Sequence, residues 1–207
     1  MLSDTHVPEL LPSLPEAVAE TFQGVDLIVH LGDVTGEDVL RDLGHIAPVV
    51  SLSGTHDHLP LPRQTLLHVQ GMRLALVHGK PGLYRGLAAI ASGRSDAKSD
   101  RWWSSLLANE LDAVSDLNAI LFGYDHRPYM ARHEGVLLFS PGGVYQRTAQ
   151  MLRDELAKSP PLPRRLALQR QLEQAEKSGD DAVMAPTVGL LSIEAGVIHA
   201  EVRPIAV

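Results

Sequence analysis

Short apolar runs, separated by polar and turn-forming residues, recur along most of the chain. Seven of them have the length and the aliphatic or β-branched composition of strands: 26–31, 48–53, 72–77, 118–122, 135–139, 187–193 and 197–202. Several runs are continuous rather than alternating, a pattern typical of strands that are buried on both faces. The runs therefore predict a sheet structure with a sizeable core.

Helix-like stretches lie between the early runs. Residues 14–22 carry Pro15 at a first-turn position, and residues 36–44 end on a glycine; these are common signals for the start and the end of a helix. Strands that alternate with helices predict an α/β fold built in layers. The later runs lie closer together, as the strands of hairpins do, so the second half is predicted to be more antiparallel.

Two segments read as helical elaborations of a single domain that spans 1–207. They are residues 81–117, with one helical stretch, and residues 145–180, with helices near 147–157 and 163–177. Ser159-Pro160-Pro161 separates the last two helices. An amphipathic helix must bury its apolar side somewhere, either by capping the sheet or in a subunit contact. We favour the subunit contact and expect a homo-oligomer that forms through the helical insertions.

Composition narrows the classes of partner and of metal ligand. The net charge is -7 and no run of Lys or Arg forms a basic track, which disfavours binding to nucleic acid or to an anionic membrane. The chain has no cysteine, so a metal would be held by His, Asp, Glu or Asn-type ligands. No signal peptide and no membrane-spanning run is visible, and we expect a cytoplasmic protein.

Polar side chains with useful chemistry follow the apolar runs at the point where each run ends. The exits are Gly32-Asp33, Gly54-Thr55-His56-Asp57, His78-Gly79, Gly123-Tyr124-Asp125-His126 and Ser140-Pro141-Gly142-Gly143, with Asp4-Thr5-His6 as a further exit at the start. Sites in α/β sheets form beyond the carboxyl ends of strands. Residues two apart in an extended chain point to one side, so Asp4 and His6 could coordinate one metal ion together.

The ordered series D-T-H, G-D, G-T-H-D, H-G, G-Y-D-H and P-G-G resembles the calcineurin-like metallophosphoesterase superfamily. It is most similar to the small bacterial phosphodiesterase branch, which shares its fold with a retromer subunit. The match runs from Asp4 to about Gly143 and returns in the last two strands. The resemblance implies a two-sheet β-sandwich flanked by helices in four layers (α/β/β/α), with two divalent metals, Mn, Fe or Zn, at the strand ends.

The resemblance also assigns metal ligands. The first metal would take Asp4, His6, Asp33 and His126, and Asp33 would bridge to the second. The remaining second-metal positions are His78, Thr55 in place of an Asn, and Tyr124 in place of a His. A phenol with a pKa of about 10 is a poor ligand near neutral pH. The chain would then be mononuclear, or bind a weaker second metal, or use a neighbour such as Asp125 or His58.

The resemblance implies chemistry for three further residues. His56 would protonate the leaving oxygen, Asp57 would orient His56, and Arg127 would contact a substrate phosphate. Two cations about 3.5–4 Å apart would clamp the phosphoryl group and hold a hydroxide for in-line attack. We therefore expect a metal-dependent phosphoesterase that acts on small phosphate mono- or diesters. The alternative is a binding scaffold that keeps the fold and has lost catalysis.

Two features admit a different interpretation. Asp33 or Thr35 could simply cap the helix at 36–44. The family also has an apolar strand before the D-T-H motif, whereas this sequence has only Met1-Leu2-Ser3 there. We therefore expect a truncated first strand, or one supplied by residues upstream of Met1.

Overall fold

A computed structural model describes residues 1–79, 117–124, 126–133, 135–145, 147–178 and 182–206. Within these ranges the strands are β1 Ile28–His30, β2 Val49–Ser51, β3 Gln64–Val69, β4 Met72–His78, β5 Ala119–Gly123, β6 Pro128–His133, β7 Val136–Pro141, β8 Arg147–Thr148, β9 Ala182–Met184, β10 Thr187–Glu194 and β11 Val197–Pro204. The helices are α1 Glu16–Thr21, α2 Glu37–Gly44, α3 Ala149–Ala157 and α4 Leu162–Ser178. The elaboration expected at 81–117 lies outside the described residues apart from its last position.

The first residues of the chain occupy the place of a central strand. Leu2 forms a parallel bridge with His30 of β1, and β1 pairs in parallel with β2. On the other side, the Met1 amine donates to the Gly189 carbonyl at 2.6 Å, and the Gly189 amide donates to the Met1 carbonyl at 2.8 Å. Residues 1–3 therefore lie between β1 and β10 as a short first strand.

The five-stranded sheet has the order β3-β4-β5-β7-β6. Its central strands β4, β5 and β7 run parallel, and the edge strands β3 and β6 are antiparallel to their neighbours. Hairpins were expected in the second half, and β6–β7 and β10–β11 are hairpins. The β10–β11 turn has Ala195 and Gly196 at φ values of 49° and 77°, the left-handed pair that a two-residue turn requires.

Two hydrophobic clusters form the core. One joins residues of the first strands, such as Val29 and Leu31, to residues of the five-stranded sheet, such as Leu76 and Phe139. The other packs α1 and α2 on the opposite side of β1, with Phe22 and Leu43 fully buried. The α/β class is confirmed, whereas the four-layer order stays a prediction.

The helices expected in 145–180 are α3 and α4, which pack against each other. Proline residues 160 and 161 separate them, since proline lacks the amide that would continue a helix. Within α4, Leu168 and Ala175 are buried, whereas Leu162 and Leu166 are exposed. None of the helices in the described ranges combines the length and apolar character that a membrane span requires.

Candidate metal centre

The ends of four separate strands bring carboxylates and imidazoles together. Asp4 and His6 follow the short first strand, Asp33 follows β1, His78 ends β4, and His126 follows β5. Ligand atoms of Asp4, His6 and His126 lie within 4.8 Å of one another, and so do those of Asp4, Asp33 and His78. The structure thus gathers the five predicted metal ligands into two groups that overlap at Asp4.

Asp33 lies between two of the imidazoles. Its Oδ2 is 3.7 Å from His6 Nε2 and 3.4 Å from His78 Nε2. The Oδ1 of Asp4 is 3.7 Å from His126 Nε2. A carboxylate placed between His6 and His78 suits the bridging position that the resemblance assigned to Asp33, and Asp4 is shared by both groups as well.

The backbone at these positions is strained. Asp4, His6, Asp33 and His126 have φ values of 55°, 48°, 55° and 61°, in the left-handed region that non-glycine residues seldom occupy. Main-chain hydrogen bonds hold part of this arrangement: the Asp4 amide donates to the Gly32 carbonyl, and the His6 amide to the Asp33 carbonyl. Strain of this kind concentrates at functional sites.

Several buried polar atoms at the centre have no hydrogen-bond partner among the described residues: Asp4 Oδ1, His6 Nε2 and His78 Nε2. His78 Nδ1 donates to the Leu31 carbonyl at 2.7 Å, which leaves its Nε2 as the atom that could bind a metal. Buried polar atoms normally find partners. A divalent cation would satisfy these atoms, so the donor set fits a metal.

Burial and neighbouring groups shift the pKa values of the residues in the centre in different directions. Burial raises the pKa of Asp4 to about 7 and lowers the pKa of His6. Burial alone would also raise the pKa of Asp33, but the His78 imidazole and the His56 amide outweigh it and hold that pKa well below its usual range. Asp33 is therefore the permanent negative charge of the site.

Gly54 permits the close packing of this carboxylate. A Cβ atom at this position would lie 2.2 Å from Asp33 Oδ1, far inside van der Waals contact. The Asp33 oxygen instead accepts a hydrogen bond from the His56 amide at 2.8 Å. The glycine of the G-T-H-D motif thus has a packing role beside the site.

The two altered second-metal positions differ in their surroundings. Thr55 is exposed to solvent. The Tyr124 ring stands edge-on to His78, with 5.6 Å between ring centroids, and its backbone amide donates to Asp4 Oδ2 at 3.2 Å. Of the proposed substitutes, His58 is exposed and Asp125 lies outside the described residues.

The residues expected to act on substrate lie at the edge of the centre. The exposed His56 has its ring centroid 5.1 Å from that of His6, and Arg127 is also exposed. The two oxygens of Asp57 accept hydrogen bonds from the amides of Thr35 and Gly54, each at 2.7 Å. The Asp57 carboxylate therefore connects two loops.

The capping interpretation of Asp33 and Thr35 is not supported. The N-cap of α2 is Gly36, without a side-chain hydrogen bond. The Thr35 hydroxyl donates to the Val7 carbonyl at 2.6 Å, and Asp33 faces His6 and His78.

Tyr145 and His30 are site neighbours that sequence reasoning missed. The buried Tyr145 ring stands edge-on to His6 and His126, at centroid distances of 5.7 and 5.0 Å. The sequence signal that could have identified Tyr145 as a site neighbour is its position two residues after the P-G-G turn. His30 is buried behind the site, with its Nε2 3.1 Å from the Thr5 hydroxyl.

Comparison with known proteins agrees with this geometry. The model of the calcineurin-like phosphoesterase superfamily domain matches residues 1–154. A probable metallophosphoesterase of Methanocaldococcus jannaschii is 32% identical over 142 residues, which cover 69% of this chain and 65% of that protein. One of Methanothermobacter thermautotrophicus is 32% identical over 145 residues, which cover 69% of this chain and 74% of the relative.

The fold is also similar to that of solved structures. Vps29 of Entamoeba histolytica, solved in complex with zinc, has a TM-score of 0.58 and 14% identity, with 98% of this chain and 96% of that chain covered. At this identity the similarity concerns the fold alone. The family match and the archaeal relatives confirm the resemblance that the strand-exit motifs indicated: the chain belongs to the calcineurin-like phosphoesterase superfamily.

Proposed function

We propose that the protein is a metal-dependent phosphoesterase that hydrolyses phosphate mono- or diesters, with a weakened second metal site. The observation that carries this proposal is the convergence of Asp4, His6, Asp33, His78 and His126, in which Asp4 Oδ1, His6 Nε2 and His78 Nε2 are buried without a hydrogen-bond partner in the described part of the chain. The family membership supports hydrolysis of phosphate esters in general. The two relatives are themselves probable metallophosphoesterases, which supports the same class of reaction.

In this proposal each residue of the site has a specific role. Asp4, His6, Asp33 and His126 would hold the first cation, and Asp33 and His78 the second. When bound, Mn, Fe or Zn ions would neutralise phosphoryl oxygens and lower the pKa of a bound water. His56, exposed beside His6, would donate a proton to the leaving oxygen. Arg127 would contact the substrate phosphate.

The second site is expected to be the weaker one. Thr55 lies at an exposed loop position and offers a neutral hydroxyl, and Tyr124 offers a phenol, which is a weaker ligand for a divalent ion than an imidazole. Only Asp33 and His78 of the four family positions keep good ligands. Activity should therefore be low or selective, since part of the charge neutralisation is lost.

The direct test measures metal content and turnover together. Protein purified without chelator should contain a divalent metal and cleave a chromogenic phosphodiester when Mn²⁺ is added. His126→Ala should lower turnover by about 100-fold or more, because a first-metal ligand is lost. His199→Ala, at an exposed position on β11, is the matched control and should act as wild type. Absence of metal and of turnover in Mn, Fe and Zn would reject the proposal.

The altered positions provide a second test. The double substitution Thr55→Asn and Tyr124→His should raise turnover and the number of metals bound per chain, because it restores ligand types that bind divalent ions. Unchanged metal content in the double variant would show that other groups already compensate for the two residues.

The competing function is a catalytically degenerate scaffold. Thr55 and Tyr124 favour it, whereas the similarity to Vps29, at 14% identity, concerns the fold and does not decide between the two functions. The retained ligands on both sides of Asp33 favour the enzyme, because a scaffold has no need for a buried carboxylate oxygen, Asp4 Oδ1, that lacks a hydrogen-bond partner among the described residues. A protein that binds metal tightly, yet cleaves no phosphate ester in any of the three metals, would establish the scaffold instead.

A further inference from the structure

A cavity of about 540 Å³ opens beside the metal centre. His6, His126 and Tyr145 lie on the side of the candidate ligands, and His56 lines it as well. Glu9 and Leu10, from the loop that follows His6, form one wall. This volume accommodates the organic part of a small ester whose phosphate lies at the metals.

Helix α3 forms the opposite wall. Met151, Asp154 and Glu155 of α3 line the cavity, together with Lys158, which directly follows the helix. These positions are three, four and seven residues apart, the spacing that places side chains on one face of a helix. Leu152 is fully buried and packs into the protein. The face of α3 that points to the cavity is therefore polar and charged.

The two walls carry an excess of negative charge. Among the described residues that line the cavity, Glu9 and Asp154 each carry a carboxylate and Lys158 carries an ammonium group, so these three side chains sum to a formal charge of -1. Asp154 accepts a hydrogen bond from the neutral amide of Gln150 at 2.8 Å, a contact that does not neutralise it. Such a wall repels further negative charge on a substrate and attracts a cation.

A second observation marks the same cavity as a ligand site. His6, which lines it, is only 4% exposed, and its Nε2 has no hydrogen-bond partner among the described residues. The acidic wall and His6, a candidate ligand of the metal centre, thus border the same cavity. A substrate bound there would place its phosphate at His6 and His126 and its organic part against α3.

We propose that this cavity selects phosphate esters whose organic part carries an ammonium group. The inference rests on the proposed phosphoesterase function and adds a substrate class to it. The phosphate would bind at the metal centre, and the ammonium group would lie near Asp154 and the other wall carboxylates. Esters with additional negative charges would be disfavoured by the same field.

The test uses two esters that differ by one charge: p-nitrophenyl 2-aminoethyl phosphate and p-nitrophenyl propyl phosphate. Both release p-nitrophenol. For each variant, the kcat/KM of the aminoethyl ester is divided by that of the propyl ester, and comparing this ratio between variants cancels the different intrinsic reactivities of the two esters. Asp154→Asn should lower this ratio by about three- to tenfold, the effect of one charge near the protein surface. Lys158→Gln should raise the ratio by a similar factor.

Asp26→Asn is the matched control, because Asp26 is an exposed residue that precedes β1, at the end of that strand opposite to Asp33. Its ratio should equal that of wild type. If both esters are cleaved and the ratio is the same in wild type, Asp154→Asn and Lys158→Gln, the preference for a cation is overturned while the phosphoesterase function stands. If neither ester is cleaved in Mn, Fe or Zn, the proposed function fails and this inference with it.

Discussion

At the scale of single residues, carboxylates hold the loops of the metal centre through backbone amides. Asp57 accepts from Thr35 and Gly54, Asp33 from His56, and Asp4 from Tyr124. Hydrogen bonds to an ionised acceptor are shorter and stronger than neutral ones. Each acid thus fixes a loop that belongs to another strand.

Asp57→Ala should destabilise the fold by about 2–4 kcal/mol, because two buried or half-buried amides lose a charged acceptor. Asp57→Asn, which keeps one acceptor oxygen, should lose about half of that. Urea unfolding of chelator-treated protein measures both variants. A loss of turnover without a loss of stability would show instead that Asp57 acts by orienting His56.

His30 contributes a pH-dependent part of the stability. Burial lowers its pKa from 6.5 to about 3, and Nδ1 accepts the Gly32 amide at 3.3 Å, so that Nε2–H points to the Thr5 hydroxyl. Below pH 6.5 the His30 imidazole is protonated in the unfolded chain but stays neutral in the folded chain. Stability from this residue is therefore present at neutral pH and lost as the pH falls from about 6.5 towards 3.

The His30 contribution should appear as a difference in slope. Between pH 6.5 and 5, wild type should lose up to about 1.4 kcal/mol per pH unit more than His30→Asn in urea unfolding with chelator present. The exposed-site variant His199→Asn should keep the wild-type slope. Equal slopes in wild type and His30→Asn would show that the buried imidazole does not titrate in this way.

At the scale of elements, helix α3 connects the core to the cavity. Thr148 caps it by accepting the Met151 amide at 3.3 Å. Ala149 and Leu152 are buried on one side, and the charged face lines the cavity on the other. The cap therefore helps to set where the acidic wall stands relative to His6 and His126.

Thr148→Ala should cost about 1 kcal/mol of stability, the usual value of an N-cap hydrogen bond. It should also speed amide hydrogen exchange in the first turn of α3. Thr148→Ser keeps the hydroxyl and should behave as wild type in both measurements. If the serine and alanine variants lose the same stability, the methyl group of Thr148 and not the cap is responsible.

At the scale of the whole molecule, the metal centre joins two parts of the fold. Asp4, His6 and Asp33 follow the short first strand and β1, whereas His78 and His126 belong to the five-stranded sheet. A cation bound to both sets would link them in the folded state only. The subunit contact expected through the helical insertions stays a prediction.

Adding Mn²⁺ should therefore stabilise the protein against unfolding. The gain should reach about 2.7 kcal/mol when free metal is 100 times the dissociation constant, and it is measured as an increase in Tm with metal concentration. His126→Ala should lose most of the increase, and His199→Ala should keep it. A Tm that does not respond to millimolar Mn²⁺ in wild type would contradict a centre shared between the two parts.

Local pattern was sufficient for most of the longer elements and for the candidate ligands, but it did not predict the short strands β8 and β9. The run at 187–193 is strand Thr187–Glu194, and the helix near 163–177 is Leu162–Ser178. Strand and helix periods are properties of neighbouring residues, so the sequence carries them directly. The motif order at the strand exits identified the family for the same reason, since each motif is a short local string.

Tertiary structure decided which distant groups meet. The bond from Tyr124 to Asp4 spans 120 positions, the pairing of Met1 with Gly189 spans 188, and the cavity joins the loop at Glu9 to the face of α3. Asp57 accepts hydrogen bonds from the amides of Thr35 and Gly54 because folding brings both amides within 2.7 Å of its carboxylate. Side-chain chemistry in a sequence states what a group can bind, and only the packed chain determines which partner is near enough to bind.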